Sequence, residues 1–260
     1  MLTAPTILRS ALWGGIQYGG NMFGKLGLAL AFSIAAGAAG ATTLTVFDGI
    51  SSGKASFDST VAGAGGVVNN SVWNSVSPGA ELDFGDYKVT RNNGDLVWPT
   101  SYGSMSGNVI DISPSGSGPG AGAFDSGITF SFNSPVNALG FEVGDWATCC
   151  HPSALFMSFD GGAPIQVANA LTTADGLFPS QSDPTSTVYE IFVAAFDDSG
   201  SFSTVSFWGD GFGEYLLAGG HVKYALLDHG SLPPVPLPAG GLLLASGLGL
   251  LALRKRRLAA

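Results

Sequence analysis

Positive charge is what this sequence has least of. Across residues 42–230, nineteen Asp and Glu face only Lys54, Lys88, Arg91 and Lys223, a net charge of −15. A surface of that sign repels phosphate backbones, which excludes nucleic acid as a partner. Cysteine is nearly missing: Cys149 and Cys150 stand side by side with no others, so no disulfide framework can be written. A zinc site needs four ligands, and only His151 lies close to the pair. With three histidines, no His-Glu-x-x-His and no phosphate-binding loop, the chain is not predicted to be an enzyme. The catalytic alternative is a glycoside hydrolase or lyase working through paired carboxylates. Amphipathic helical stretches of useful length are also wanting between residues 42 and 230.

What fills the chain instead is glycine, 39 residues of it without a period of three, together with Ser, Thr, Asn and many Phe, Val and Ile. That composition favours strands joined by turns. The clearest alternation is Ile128, Phe130 and Phe132, then Leu139, Phe141 and Val143, with Asn133-Ser134-Pro135 as the turn between them. Leu155, Met157 and Phe159 follow, Asp160-Gly161-Gly162 reads as a hairpin turn, and Ile165 and Val167 return. Tyr189, Ile191, Val193 and Ala195, then Val205 and Phe207, then Val222, Tyr224 and Leu226 complete the series. One face of each strand is predicted to meet a core and the other water. Many short strands at regular spacing predict an all-β fold, a jelly-roll-like β-sandwich over residues 42–230.

Both ends of the chain read as targeting. Residues 1–41 contain a short cationic start at Met22-Phe23-Gly24-Lys25, an apolar core over residues 26–34 and a run of small residues to Ala41, the order of a signal peptide helix. Met22 serves equally as a start, and a permanent N-terminal membrane helix is the alternative. At the other end a Pro-rich linker, residues 231–238, leads into an uncharged stretch, residues 239–253, and then Arg254, Lys255, Arg256 and Arg257 in the terminal segment 254–260. Fifteen apolar residues make a short transmembrane helix at best, against the ~20 that span a bilayer core. Its leucines surround the helix, which suits lipid or a buried core helix, and the basic cluster would remain cytoplasmic.

The pentapeptide Val235, Pro236, Leu237, Pro238 and Ala239, the apolar segment and the basic cluster resemble, in that order, the PEP-CTERM family of sorting signals in its VPLPA variant. The resemblance implies an exosortase-type membrane protease as partner, export through the inner membrane, a transient anchor, and delivery to the cell surface or an extracellular polysaccharide matrix. More faintly, residues 128–227 resemble exported galactose-binding-like or lectin-like sandwiches, through FSFNSPVNALGFEVGDW and LFMSFDGG. Those relatives often carry acids on the last strand, where this chain has Gly220-His221-Val222-Lys223-Tyr224, so the resemblance supplies no carboxylate there for a carried-over calcium site.

Chemistry has three candidate locations. Trp146, Trp208 and Trp98 sit beside turns, where a flat ring could stack on a sugar; core packing is the alternative for each. Asp145, Asp210 and Glu214 offer hard oxygen ligands on turns, for calcium as the one candidate ion or as solvated carboxylates. Cys149 and Cys150 either close a vicinal disulfide, bond to other chains or remain thiols. Together these features predict an exported structural or glycan-binding component of an exopolysaccharide layer, with a passive matrix subunit as a further alternative.

Overall fold

The computed structural model describes residues 42–114, 123–148, 150–172, 190–210 and 213–232. The leader, the motif at 235–239, the apolar run, the basic cluster and Cys149 lie outside the described residues. Among the described residues no helix is long and apolar enough to cross a membrane.

Two antiparallel sheets face each other. The first holds seven strands: β1 (Thr43–Phe47), β11 (Ile191–Phe196), β8 (Ala138–Gly144), β13 (Leu217–Ala225), β6 (Val109–Asp111) and β5 (Pro99–Thr100) in that order, with β2 (Asn69–Val72) also paired to β13. The second holds six: β10 (Ile165–Ala170), β9 (Ser153–Phe159), β12 (Phe202–Gly209), β7 (Ile128–Val136), β4 (Tyr87–Arg91) and β3 (Leu82–Asp83). The last eight strands pair from the outside in: β6 with β13, β7 with β12, β8 with β11 and β9 with β10. Alternate rungs of this nested hairpin fall in opposite sheets, and β13 closes on β8 as β12 closes on β9. The fold is therefore a jelly-roll β-sandwich, as the alternation predicts.

The inward faces carry the alternating apolar residues. Ile128, Phe130, Leu139, Phe141, Val143, Leu155, Met157, Ile191, Val193, Val205 and Phe207 are all buried in one cluster. Trp73 seals this core from the first sheet's side, stacking on Phe84 and donating its indole N–H to the Tyr87 hydroxyl at 2.7 Å. Its ring lies so close over Gly219, whose φ is +125°, that a Cβ there would come within 2.1 Å of it.

Three expectations are corrected. A 14-residue helix, α1 (Ile50–Gly63), is present where no amphipathic stretch was predicted. Its buried face is only Ile50, Gly53, Phe57 and Val61 among Ser, Thr and Gly, too sparse a stripe to read by period. Packing makes the helix: Phe57 lies edge-on to Phe192 at 6.2 Å and tilted against Phe196 at 5.1 Å. Because α1 covers the first sheet, β8 is buried on both faces rather than one. On β10, a register shift between Gln166 and Ala168 leaves Ile165 exposed and puts Ala168 and Ala170 in the core, with Val167 partly buried against it.

Strand register also gives the sandwich two distinct ends. Val136, Ala138, Phe196, Phe202 and Ala225 meet at one, the base, together with Thr43 at the start of β1. There Asn137 clamps the last strand, its side chain bonded to both N–H and C=O of Leu227 at 2.6 and 2.9 Å. The Asp197-Asp198 turn holds both ends of the described chain: Thr42 donates to Asp197 at 3.0 Å and the Leu232 N–H to Asp198 at 3.0 Å. Arg91, Asp111, Ile128, Gly144, Ile191, Gly209 and Leu217 end or begin strands at the opposite end, the rim. The nine residues of β7 separate base from rim by roughly 27 Å.

Candidate functional site

Residues that the sequence scatters over more than a hundred positions come together at the rim. The turn after β4 brings Trp98, the loop between β8 and β9 brings Asp145, Trp146 and Cys150, and the crossing from β12 to β13 brings Trp208, Asp210 and Glu214. Their roles divide by burial.

Trp98 stands 60% exposed beside Leu96. Both border a cleft of about 500 Å³ whose other walls are Arg91, Asn93, Asp95, Ser113, Asp125 and Ser126. Turn chemistry builds this wall: the Asn93 side chain accepts from the Asp95 N–H at 2.9 Å and donates to its carboxylate at 2.7 Å, and Gly94 takes φ +78°. The floor is held by α2 (Ala123–Ser126), one turn of helix pinned from both sides. Arg91 Nη1 donates to the Ser126 carbonyl at 2.7 Å, Asn92 donates to the Phe124 carbonyl at 2.8 Å, and the Ser126 hydroxyl donates to Ala123. Arg91 has no carboxylate within ion-pair distance among the described residues, so most of its five N–H donors remain to be used. Asp125 likewise has no hydrogen-bond partner among them. A flat apolar ring beside uncommitted donors and acceptors can grip a molecule that has an apolar face and a ring of hydroxyls.

The other two tryptophans are corrected as exposed stacking residues. Trp146 is fully buried in the core. Trp208 is 6% exposed, turned to the outer face of the second sheet and covered there by Phe156, stacked at 5.8 Å, and by Phe124, edge-on at 5.0 Å. Phe124 itself is 47% exposed.

Among the described residues no three His, Cys, Asp or Glu side chains gather as a metal would need. Glu214 is fully buried; it accepts from the Ala147 N–H at 2.5 Å and is hydrogen-bonded to the Ser153 hydroxyl. Burial, with the nearby Asp145 charge adding to it, pushes its carboxyl up to about 8, so near neutral pH it is chiefly the uncharged acid. Its work is to tie the β8–β9 loop, where Asp145, Ala147 and Cys150 all take positive φ, to the approach of β13. Cys150 is disulfide-bonded, and the one other cysteine of the chain, Cys149, lies outside the described residues. Asp145 approaches Tyr102, whose hydroxyl is pushed up to about 12 by burial and then by that charge.

For the paired-carboxylate alternative, Glu214 is the acid with the raised value, but no substrate reaches it. Gly49-Ile50-Ser51-Ser52-Gly53 has the spacing of a nucleophile elbow, yet Ser51 lies exposed in the first turn of α1, and among the described residues no histidine is bonded to it.

Sequence reading finds Trp98 and the Asn92-Asn93-Gly94-Asp95 turn; it misses Arg91, Asp125 and Phe124. One signal was available for Arg91, as one of only four cations in residues 42–230. Nothing local marks Asp125 or Phe124, which follow a Gly- and Ser-rich stretch and acquire their place from Arg91 and Asn92, more than thirty residues upstream.

No family model and no curated protein matches the sequence. Among solved structures the chain is similar to a mutant of the family 29 carbohydrate-binding module CBM29-2 complexed with mannohexaose, at 12% identity and a TM-score of 0.34 over 65% of this chain and 99% of that one. It is similar also to another structure described as a family 29 carbohydrate-binding module, at 14% identity and a TM-score of 0.32 over 66% of this chain and 98% of that one.

Proposed function

We propose that this is an exported cell-surface or matrix protein whose sandwich binds a glycan in the rim cleft. The observation that carries the reading is Trp98, a large ring left 60% exposed beside a cleft lined by Arg91, Asn93, Asp95 and Asp125. Sugars present an apolar face to stack on such a ring and hydroxyls to meet both a guanidinium and carboxylates. Glu214 is out of a substrate's reach, which favours binding over hydrolysis. The terminal segments complete the proposal: residues 1–41 direct export, and the motif at 235–239 with its apolar run and basic cluster hands the chain to an exosortase-type protease, which delivers it into an exopolysaccharide layer.

Affinity electrophoresis of the full chain, in a detergent without a sugar headgroup and with and without calcium, tests the binding. Gels containing the producing organism's matrix polysaccharide are expected to retard the protein, and Trp98→Ala to abolish most of the retardation. Equal mobility in every polysaccharide offered would sink the proposal. Mass spectrometry of both mature ends tests the processing, with termini expected near residues 42 and 235–239.

A further inference from the structure

The cleft does not end at its own wall. On the four residues of α2, Asp125 and Ser126 line the cleft while the preceding Phe124 turns outward onto Trp208. Trp208 is stacked in turn on Phe156 of the neighbouring strand, its partner in the β9–β12 register. The outer face of the second sheet thus begins, directly across α2, with an aromatic shelf of Phe124, Trp208 and Phe156. None of these rings belongs to the buried core between the sheets.

Beyond the shelf the same face turns to hydroxyls. Register places Thr90, Thr129 and Ser206 in one row across β4, β7 and β12, with the buried Ser158 of β9 at its end. Thr129 and Ser206 share a hydrogen bond of 2.7 Å, and Asn92 accepts from Thr129 at 2.7 Å. This Asn92 is the residue that also fixes Phe124 from below. The shelf is therefore held before any ligand arrives, which lowers the entropic cost of using it.

An exposed phenylalanine on a pinned single turn has no role in the core, and its position joins two surfaces of the same character: ring plus hydroxyl-matching polar groups. From this continuity we infer that the ligand is a polymer chain gripped along its length, entering at Trp98, crossing α2 and lying over Phe124 and Phe156, rather than a single sugar or a chain end held in the cleft alone. The inference rests on the glycan reading of the cleft. It assigns the shelf the role of an outer subsite that only a longer oligosaccharide reaches.

A length series on the full chain in the same detergent separates the two ideas. The probes are oligosaccharides of two to eight units prepared from whichever polysaccharide retards the protein, measured by calorimetry. Affinity is expected to climb at least about tenfold between the short and long members. Phe124→Ala and Phe156→Ala should remove most of that climb and leave the shortest binding member unchanged, whereas Trp98→Ala weakens every length. Affinity already complete for the shortest binding member, or a length dependence untouched in both phenylalanine variants, overturns the subsite while leaving the cleft intact. If nothing in the series binds and Trp98→Ala changes nothing, the cleft reading itself has failed. Phe124 is half-exposed but covers Trp208, so its variant is expected to lower the melting temperature only slightly, and a matching thermal scan of each variant shows that lost affinity is not lost fold.

Discussion

At the scale of single residues, two rim side chains invite opposite experiments. Trp98 owes its place to a turn and makes few demands on the core, so Trp98→Ala should leave the melting temperature close to wild type. Its glycan affinity should fall at least about tenfold, which corresponds to ~1.4 kcal/mol. Glu214 is the reverse, a stability residue with no access to ligand. Its carboxyl titrates near 8 in the folded chain against 4.5 ordinarily. Between those values the folded state keeps a proton that the unfolded state has released, so stability falls as pH rises through that window and levels off above it. Thermal unfolding from pH 5 to 9 should therefore show a decline that Glu214→Gln largely flattens, because the amide offers Ala147 the same acceptor without a charge to bury. A Gln variant with the parent's full alkaline decline would remove Glu214 as its cause.

At the scale of elements, what could be read from the sequence follows from who supplies the order. Strands β7, β8, β9, β11 and β12 alternate because their own residues must, and each was legible as a run of apolar residues two apart. Helix α1 was not, since its helicity comes from Phe57 lodging against Phe192 and Phe196, residues about 140 positions away. Close approach is built in at Gly53 and Gly140, where a Cβ would lie 2.3 and 2.6 Å from the Phe192 side chain. Phe57→Ala should cost about 3–5 kcal/mol of stability, read by denaturant titration, with glycan affinity unchanged at temperatures where the variant stays folded. The rim was legible in part: Trp98 announces itself beside a turn, whereas the burial of Trp146, Trp208 and Glu214 depends on neighbours from other strands.

At the scale of the whole molecule, base and rim have separate occupations. Thr42 and Leu232 are fastened to adjacent aspartates of one turn, and the cleft opens at the other end of the strands. A fluorescent protein fused at either terminus of residues 42–232 is therefore expected to change glycan affinity less than about twofold, whereas the same insertion in the turn at Asn93-Gly94 should abolish it. Equal losses from both placements would contradict this division.

That division also decides how the molecule meets tension. If a polymer tugs at the rim while the far side is secured through Leu232, the pull enters through the β4–β5 loop and α2 and leaves through β13, which is flanked by β8 on one edge and by β6 and β2 on the other. Along β13 the rungs shared with β8, β6 and β2 are then sheared together, and none is peeled off singly.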